Sequence, residues 1–153
     1  MKKLTAIILA AFAVLTVAGA QEPLTVRVAA PEGIPDGNAA AVLTSNLHQA
    51  LVLNDAASDD GRYVLQTKAS VLSKDVTATA PARFITELEI SFFITDPVSG
   101  DYLSQTSFSV RGIASGDKAS YLDAVKKIKA RDPKLRKLIT QAREAHNLQK
   151  EQQ

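Results

Sequence analysis

Few residues of this 153-residue chain have the types and spacing that catalysis requires. Glu87 and Glu89 lie two residues apart on a predicted strand, so they share one face, as a pair of acid–base carboxylates would. The two histidines, His48 and His146, fall on different predicted helices, without a partner at metal-ligand spacing. The chain also lacks a G-x-S-x-G nucleophile sequence and a glycine-rich phosphate loop followed by lysine. We therefore predict no catalytic residue, no metal and no cofactor; an unrecognised enzyme would have to use Glu87, Glu89 or His48.

The strongest functional candidate is a run of positive charge near the C-terminus. Seven of the twelve residues from 126 to 137 are lysine or arginine. These seven residues are named the basic block: Lys126, Lys127, Lys129, Arg131, Lys134, Arg136 and Lys137. They could bind an anionic partner, such as an acidic envelope protein or a phospholipid surface, or they could be the solvated face of amphipathic helices. Nucleic acid is not expected, because stacking aromatics and known binding motifs are missing nearby.

A small apolar ligand is the alternative to an anionic partner. If helices pack on the predicted sheet, aromatic side chains fall between the two layers and could line an apolar pocket. Four residues are the candidates for this pocket: Phe84, Phe92, Phe108 and Tyr121. Such a site would make the protein a carrier, and bound ligand would stabilise it by mass action.

The first twenty residues have the three parts of a cleavable signal peptide. Lys2 and Lys3 are positively charged, residues 4–17 are almost all apolar, and residues 18–20 read Ala-Gly-Ala. We predict cleavage after Ala20 and a periplasmic or secreted bacterial protein, without a membrane-spanning segment in the mature chain. The chain has no cysteine, which excludes a disulfide framework and a lipid anchor on an N-terminal cysteine.

Removal of residues 1–20 from the 153 leaves a chain long enough for one domain with its own core. We predict this domain over residues 21–147, with a frayed tail at residues 148–153. Loss of Lys2 and Lys3 leaves 16 basic and 16 acidic side chains, so the basic isoelectric point belongs to the precursor. Charge is unevenly distributed: residues 21–116 carry six basic and eleven acidic side chains, whereas residues 117–153 carry ten basic and five acidic. The basic block therefore lies on a mildly acidic body.

Hydrophobic patterns place strands and helices along the mature chain. Alternation with a period of two predicts strands, and apolar residues at three- and four-residue spacing predict helices. The strands are predicted at residues 24–29, 63–71, 72–79, 84–95 and 102–111. The helices are predicted at residues 39–54, at residues 117–130 and from residue 133 onward, with Asn38, Ser115 and Asp132 as their respective N-caps.

The element order β-α-β-β-β-β-α-α predicts an α+β fold, an α/β two-layer sandwich with three helices on one face of the sheet. Because consecutive strands usually pair as meanders, we expect a mostly antiparallel sheet of four or five strands. The strand over residues 84–95 should be the floor of the core. Residues 96–100 (Asp-Pro-Val-Ser-Gly) should form the turn to the next strand.

Several segments resemble a group of uncharacterised exported proteins of gut bacteria, over most of residues 24–140. The segments are residues 77–81, 93–96, 99–100, 110–119 and 124–128. More distantly, the order of elements resembles the α/β domain shared by the curli-secretion lipoprotein, the penicillin-binding-protein activator lipoproteins and the N-terminal domain of TolB. In that domain an Asp-x-x-x-Gly turn, like residues 96–100, joins two long strands. The resemblance implies a fold and an envelope setting, although this chain has no cysteine to carry the lipid anchor of the lipoproteins.

We therefore expect a non-enzymatic binding or envelope-assembly accessory domain. A small apolar-ligand carrier is the alternative, and an enzyme of unrecognised type comes third. The expected contact surfaces are the basic block and an open edge of the sheet, which could bind an envelope protein or an anionic surface.

Overall fold

A sheet of four strands forms the floor of the fold in the computed structural model, which describes residues 23–151. The strands are β1 (Val26–Val28), β2 (Tyr63–Val76), β3 (Phe84–Thr95) and β4 (Tyr102–Ala114). They lie in the order β1-β2-β3-β4, with β1 parallel to β2 and the other neighbours antiparallel. The predicted α+β class with a mostly antiparallel sheet is confirmed. The predicted signal peptide lies outside the described residues.

The extended segment after residue 71 belongs to β2, so the sheet has the smaller of the two expected strand numbers. β2 and β3 pair from end to end, with one register shift between Val71 and Ser73. The separate strand predicted at residues 72–79 is therefore mostly the second half of β2, which follows an irregularity of the β-bulge kind. Over the described residues the element order is β-α-β-β-β-α-α.

The helices are α1 (Gly37–Leu53), α2 (Asp117–Val125) and α3 (Pro133–Glu151). α1 begins two residues earlier than predicted, because its N-cap is Asp36 and not Asn38. Both residue types can cap, but it is the Asp36 carboxylate that accepts a hydrogen bond from Ala39 N, at 3.1 Å. None of the helices between residues 23 and 151 combines the length and hydrophobicity needed to cross a bilayer.

The ends of α2 and α3 show which predicted caps form. The N-cap of α2 is Gly116, without a side-chain hydrogen bond, so the prediction of Ser115 was wrong. At α3 the prediction of Asp132 is confirmed, because its Oδ1 accepts a hydrogen bond from Lys134 N at 2.8 Å. α3 continues to Glu151, into the segment predicted to fray.

One face of β3 lies at the centre of the hydrophobic core, as predicted. Four of its apolar side chains are fully buried: Leu88, Ile90, Phe92 and Ile94. They form one cluster with the buried sides of α1 and α3: Leu43, Leu47, Leu51, Leu135, Leu138, Ile139 and Ala142. The buried side of α3 also includes His146, whose Nδ1 lies 2.6 Å from Tyr63 Oη of β2. The helices are therefore tied to the sheet by both apolar and polar contacts.

β4 and α2 approach each other closely at Gly112. A Cβ atom at this position would lie 1.9 Å from Ser120 O and 2.6 Å from Ala124 N, both backbone atoms of α2. Beside this contact, the buried hydroxyls Thr86 Oγ1 and Ser120 Oγ are hydrogen-bonded at 2.7 Å. Glycine is required here because the strand and the helix pack backbone against backbone.

The turn between β3 and β4 is organised by Asp96, which is buried. Asp96 Oδ1 accepts from Val98 N at 3.0 Å, and Asp96 O accepts from Gly100 N at 2.8 Å. Gly100 has a positive φ of 79°, which suits glycine. Burial alone would raise the pKa of Asp96, but hydrogen bonds from the Val98 and Ser99 amides and the charge of Arg62 lower that pKa below its ordinary value. The predicted Asp-x-x-x-Gly turn is confirmed.

Candidate functional site

All seven residues of the basic block are exposed to solvent. Four of them lie in the turn that joins α2 to α3, because α2 ends five residues before its predicted end. The other three lie in the first two turns of α3: Lys134, Arg136 and Lys137. The connecting turn is anchored by Ile128, which is fully buried and whose carbonyl accepts a hydrogen bond from Asn46 Nδ2 of α1 at 3.1 Å. The block therefore lies on backbone that is packed against α1.

Two lysines of the block are bonded to β4, the outer strand of the sheet. Lys127 Nζ donates to the carbonyl of Arg111, and Lys134 Nζ donates to the carbonyl of Ser107 at 3.1 Å. Lys134 Nζ also lies 5.0 Å from the centre of the Phe108 ring, a cation–π distance. Because these two ammonium groups make contacts within the fold, they are less available to a partner than the other five cations.

The same contacts cover the free edge of β4. Asp123 Oδ2 accepts a hydrogen bond from Ile113 N at 2.9 Å. Because Ile113 N–H is directed toward Asp123, it points away from β3 and toward the free edge of the sheet. Hydrogen-bonding direction alternates along an antiparallel strand, so Arg111 and Ser107 also present their carbonyls at the edge. Exposed edges promote self-association, and lysines often protect them. Asp123 and Lys127 therefore both bond to β4.

The remaining five cations form what we name the open basic surface: Lys126, Lys129, Arg131, Arg136 and Lys137. Within residues 23–151, none of these five has a carboxylate oxygen within 4.0 Å. Three cations outside this surface, Arg62, Lys74 and Arg111, do form ion pairs with carboxylates. The fold therefore leaves the charge of the open basic surface uncompensated.

Two arginines of the open basic surface line one cleft of about 210 Å³, which we name the arginine cleft. Its walls come from the end of α1, the α2–α3 turn and the start of α3: Leu53, Asn54, Ala130, Arg131 and Arg136. The run of lysine and arginine between residues 126 and 137 predicted that these arginines would lie at a charged surface. No pattern in the sequence predicted that α1 would supply an apolar wall beside them. The cleft exists because α1 ends beside the turn.

A larger cleft of about 600 Å³ lies between β1 and α1. Eight residues line it: Arg27, Val28, Ala41, Thr44, Ser45, His48, Ser58 and Asp59. Sequence reasoning missed this cleft because its residues come from three separate segments. The neighbouring edge of β1 is partly covered, since Val26 N donates to Ala56 O at 2.8 Å and Ser58 N donates to Val26 O at 3.0 Å. Both outer strands of the sheet are thus partly closed, which leaves less open edge than expected.

The residues named for an unrecognised enzyme lie on different sides of the sheet. Glu87 and Glu89 alternate with buried residues of β3, so both project from the face opposite the helices. Glu87 is 3.7 Å from Arg111 Nε, and Glu89 is exposed. His48 is exposed on α1, which packs against the other face. The structure therefore does not bring these three side chains into one site.

The four aromatic residues of the expected ligand pocket lie in or beside the core. Phe92, Phe108 and Tyr121 belong to the hydrophobic cluster, and Phe84 is partly exposed. The Phe92 and Phe108 rings pack edge to face, with their centres 5.5 Å apart. These rings therefore contact protein atoms, and a ligand would have to displace such contacts. Ligand binding between the layers stays a prediction.

Comparison with known proteins gives a likeness at the level of fold. No family model matches the chain, and no curated protein matches it. A solved protein from Xanthomonas campestris, described as DUF330, is 14% identical with a TM-score of 0.50, over 87% of this chain and 91% of that one.

Two further solved structures match less well. A PelC dodecamer from Paraburkholderia phytofirmans is 12% identical with a TM-score of 0.42, over 80% of this chain and 91% of PelC. The lipoprotein GNA1162 from Neisseria meningitidis is 13% identical with a TM-score of 0.45, over 69% of this chain and 94% of that one. Of these three structures, the Xanthomonas protein has the highest TM-score, and what this chain shares with it is the fold.

Proposed function

We propose that this protein is a non-enzymatic binding domain of the bacterial cell envelope, which docks on an anionic partner through the open basic surface. The observation that carries the proposal is the uncompensated charge of its five cations, which have no carboxylate nearby in the described chain. A positive surface that the fold leaves unneutralised attracts anionic partners and speeds their association.

The envelope setting is supported by the N-terminal sequence and by resemblance. Residues 1–20 have the pattern of a secretory signal. The segments between residues 77 and 128 resemble uncharacterised exported proteins, and the element order resembles the curli-secretion, penicillin-binding-protein activator and TolB domains. The non-enzymatic part is supported by the separation of Glu87, Glu89 and His48 on different sides of the sheet.

Charge reversal of the open basic surface tests the proposal. Lys126→Glu, Lys129→Glu, Arg136→Glu and Lys137→Glu are combined in the mature chain, while Lys127 and Lys134 are kept because they bond to β4. The matched control reverses four exposed cations elsewhere: Arg27, Lys68, Arg83 and Lys118. Both variants have the same net charge, so only the position of the change differs.

Each immobilised protein is exposed to an envelope extract at about 0.15 M salt, and capture is followed as salt is raised. We expect the wild type and the control to capture the same partner in a salt-sensitive manner. The variant of the open basic surface should lose it. Equal capture by all three proteins would contradict the proposal.

A further inference from the structure

We propose that the arginine cleft binds an acidic protein segment that carries an apolar side chain beside its carboxylates. This inference rests on the proposed function and narrows the anionic partner to one class of peptide. It depends on two features of the cleft: its guanidinium groups are not used by the fold, and its wall includes exposed apolar surface.

The guanidinium groups of the cleft are not needed as hydrogen-bond donors to the carbonyls at the C-terminal end of α1. The last carbonyl of that region, Asn54 O, accepts a hydrogen bond from Arg143 Nη2, and Ala50 O accepts one from Asn54 Nδ2 at 2.7 Å. Arg131 and Arg136 make no side-chain hydrogen bond or ion pair within the described chain. Two free guanidinium forks in one cleft suit carboxylates, which each fork can bind through two parallel hydrogen bonds.

The wall of the cleft includes an apolar side chain that is partly open to solvent. Leu53, which lines the cleft, is 46% exposed, and its neighbour Val52 is 52% exposed. Arginine is enriched in protein interfaces, whose buried centres are more apolar than the rest of the protein surface. An apolar side chain of the partner would bury Leu53 while adjacent carboxylates neutralise the arginines.

The size of the cleft favours a peptide side chain over a small molecule or a lipid surface. Its volume of about 210 Å³ is below the range of roughly 300–1,000 Å³ that is usual for small-molecule sites. A flat bilayer could contact the lysines around the cleft but would not fill the hollow between the arginines. A segment of a partner protein can do both.

Peptide binding to the mature chain tests the inference. The probe is a fluorescein-labelled peptide in which two leucines are flanked by glutamates in a glycine–serine background. One matched probe has glutamine in place of glutamate, and another has serine in place of leucine. The protein variants are Arg131→Gln with Arg136→Gln, Leu53→Ser, and the control Arg83→Gln with Lys118→Gln, which removes the same charge from exposed side chains outside the open basic surface.

We expect the arginine variant to bind the acidic leucine probe about tenfold more weakly than wild type, and the control variant outside the open basic surface to change affinity by less than about threefold. Leu53→Ser should weaken binding of the leucine probe and leave the serine probe unaffected. The glutamine probe should not bind. Circular dichroism melting curves that coincide with wild type would show that the variants are folded.

Two results would overturn the inference while leaving the proposed function in place. One is an equal loss of peptide binding in the arginine variant and the control variant, because net charge alone would then explain the affinity. The other is binding of phosphatidylglycerol vesicles but not of the acidic leucine probe by the wild type. Failure of the proposed function itself is seen separately, in the capture experiment with charge-reversed protein.

Discussion

Replacement of Gly112 by alanine tests the backbone packing between β4 and α2. The new Cβ would lie 1.9 Å from Ser120 O and 2.9 Å from Ala124 Cβ. Such an atom needs at least about 3 Å from a neighbour, so the strand and the helix would have to separate by roughly 1 Å. The buried Thr86–Ser120 hydrogen bond next to this point would be stretched by the same movement.

The expected cost follows from this geometry. Overpacking a well-packed core costs about 1–3 kcal/mol and sometimes more, and here the obstructing atoms belong to backbone that cannot rotate away. We expect Gly112→Ala to lower the free energy of unfolding by about 3 kcal/mol, a large part of the roughly 5–15 kcal/mol of an ordinary domain. The melting temperature should fall by roughly 10 °C.

Gly37→Ala is the matched control, because the same methyl group is added at the start of α1 with no atom within 4 Å of the new Cβ. Alanine is the better helix former, so this variant should be more stable than wild type by about 0.5 kcal/mol. The assay is urea unfolding of the mature chain, followed by far-ultraviolet circular dichroism with linear extrapolation. A Gly112→Ala protein whose free energy of unfolding lies within about 0.5 kcal/mol of the wild-type value would contradict the close packing of β4 against α2.

Three further predictions concern the turn, the sheet edge and the core. Because the folded-state pKa of Asp96 lies below its unfolded value, its stabilising contribution is present above about pH 4 and is lost as pH falls through the folded pKa. The difference in unfolding free energy between wild type and Asp96→Asn should therefore shrink below about pH 4, and a difference that stays constant with pH would contradict this account. Lys127→Ala combined with Lys134→Ala should uncover the edge of β4 and produce dimers or larger species in light scattering, whereas Lys126→Ala with Lys137→Ala, the same charge change, should leave a monomeric wild type monomeric. If both pairs behave alike, edge protection is not the role of these contacts. The apolar-carrier alternative predicts a rise in melting temperature with lipids or bile-type amphiphiles, and a flat response across such a screen would argue against it.

Much of the fold could be predicted from local patterns. The alternation of Leu88, Ile90 and Phe92 with polar neighbours identified the buried face of β3 because side chains alternate along any strand. The prediction of a separate strand after residue 71 was wrong because a β-bulge breaks the same alternation without ending the strand. The prediction of an N-cap at Asn38 was wrong because several neighbouring residues can cap a helix, and their residue types do not show which one does.

The candidate site was predictable in composition and not in arrangement. Its charge follows from the run of lysine and arginine between residues 126 and 137. The apolar wall at Leu53 could not be predicted, because it depends on where α1 ends relative to the turn before α3. The same holds for the larger cleft near His48, whose residues meet only when β1, α1 and the following loop are packed together.

Local sequence patterns were enough to predict the α+β class, the buried face of β3, the turn at Asp96 and the seven cations of the basic block. These features follow from periodicity, turn chemistry and charge, which act over a few residues. Which of these cations are open to a partner depends on the tertiary structure. Lys127 and Lys134 bond to β4 carbonyls 16 and 27 residues away in the chain, whereas Arg131 and Arg136, beside α1, have no ion pair with any residue between 23 and 151. Long-range packing makes this division, because whether a charged side chain is used within the fold depends on the backbone that packing brings beside it.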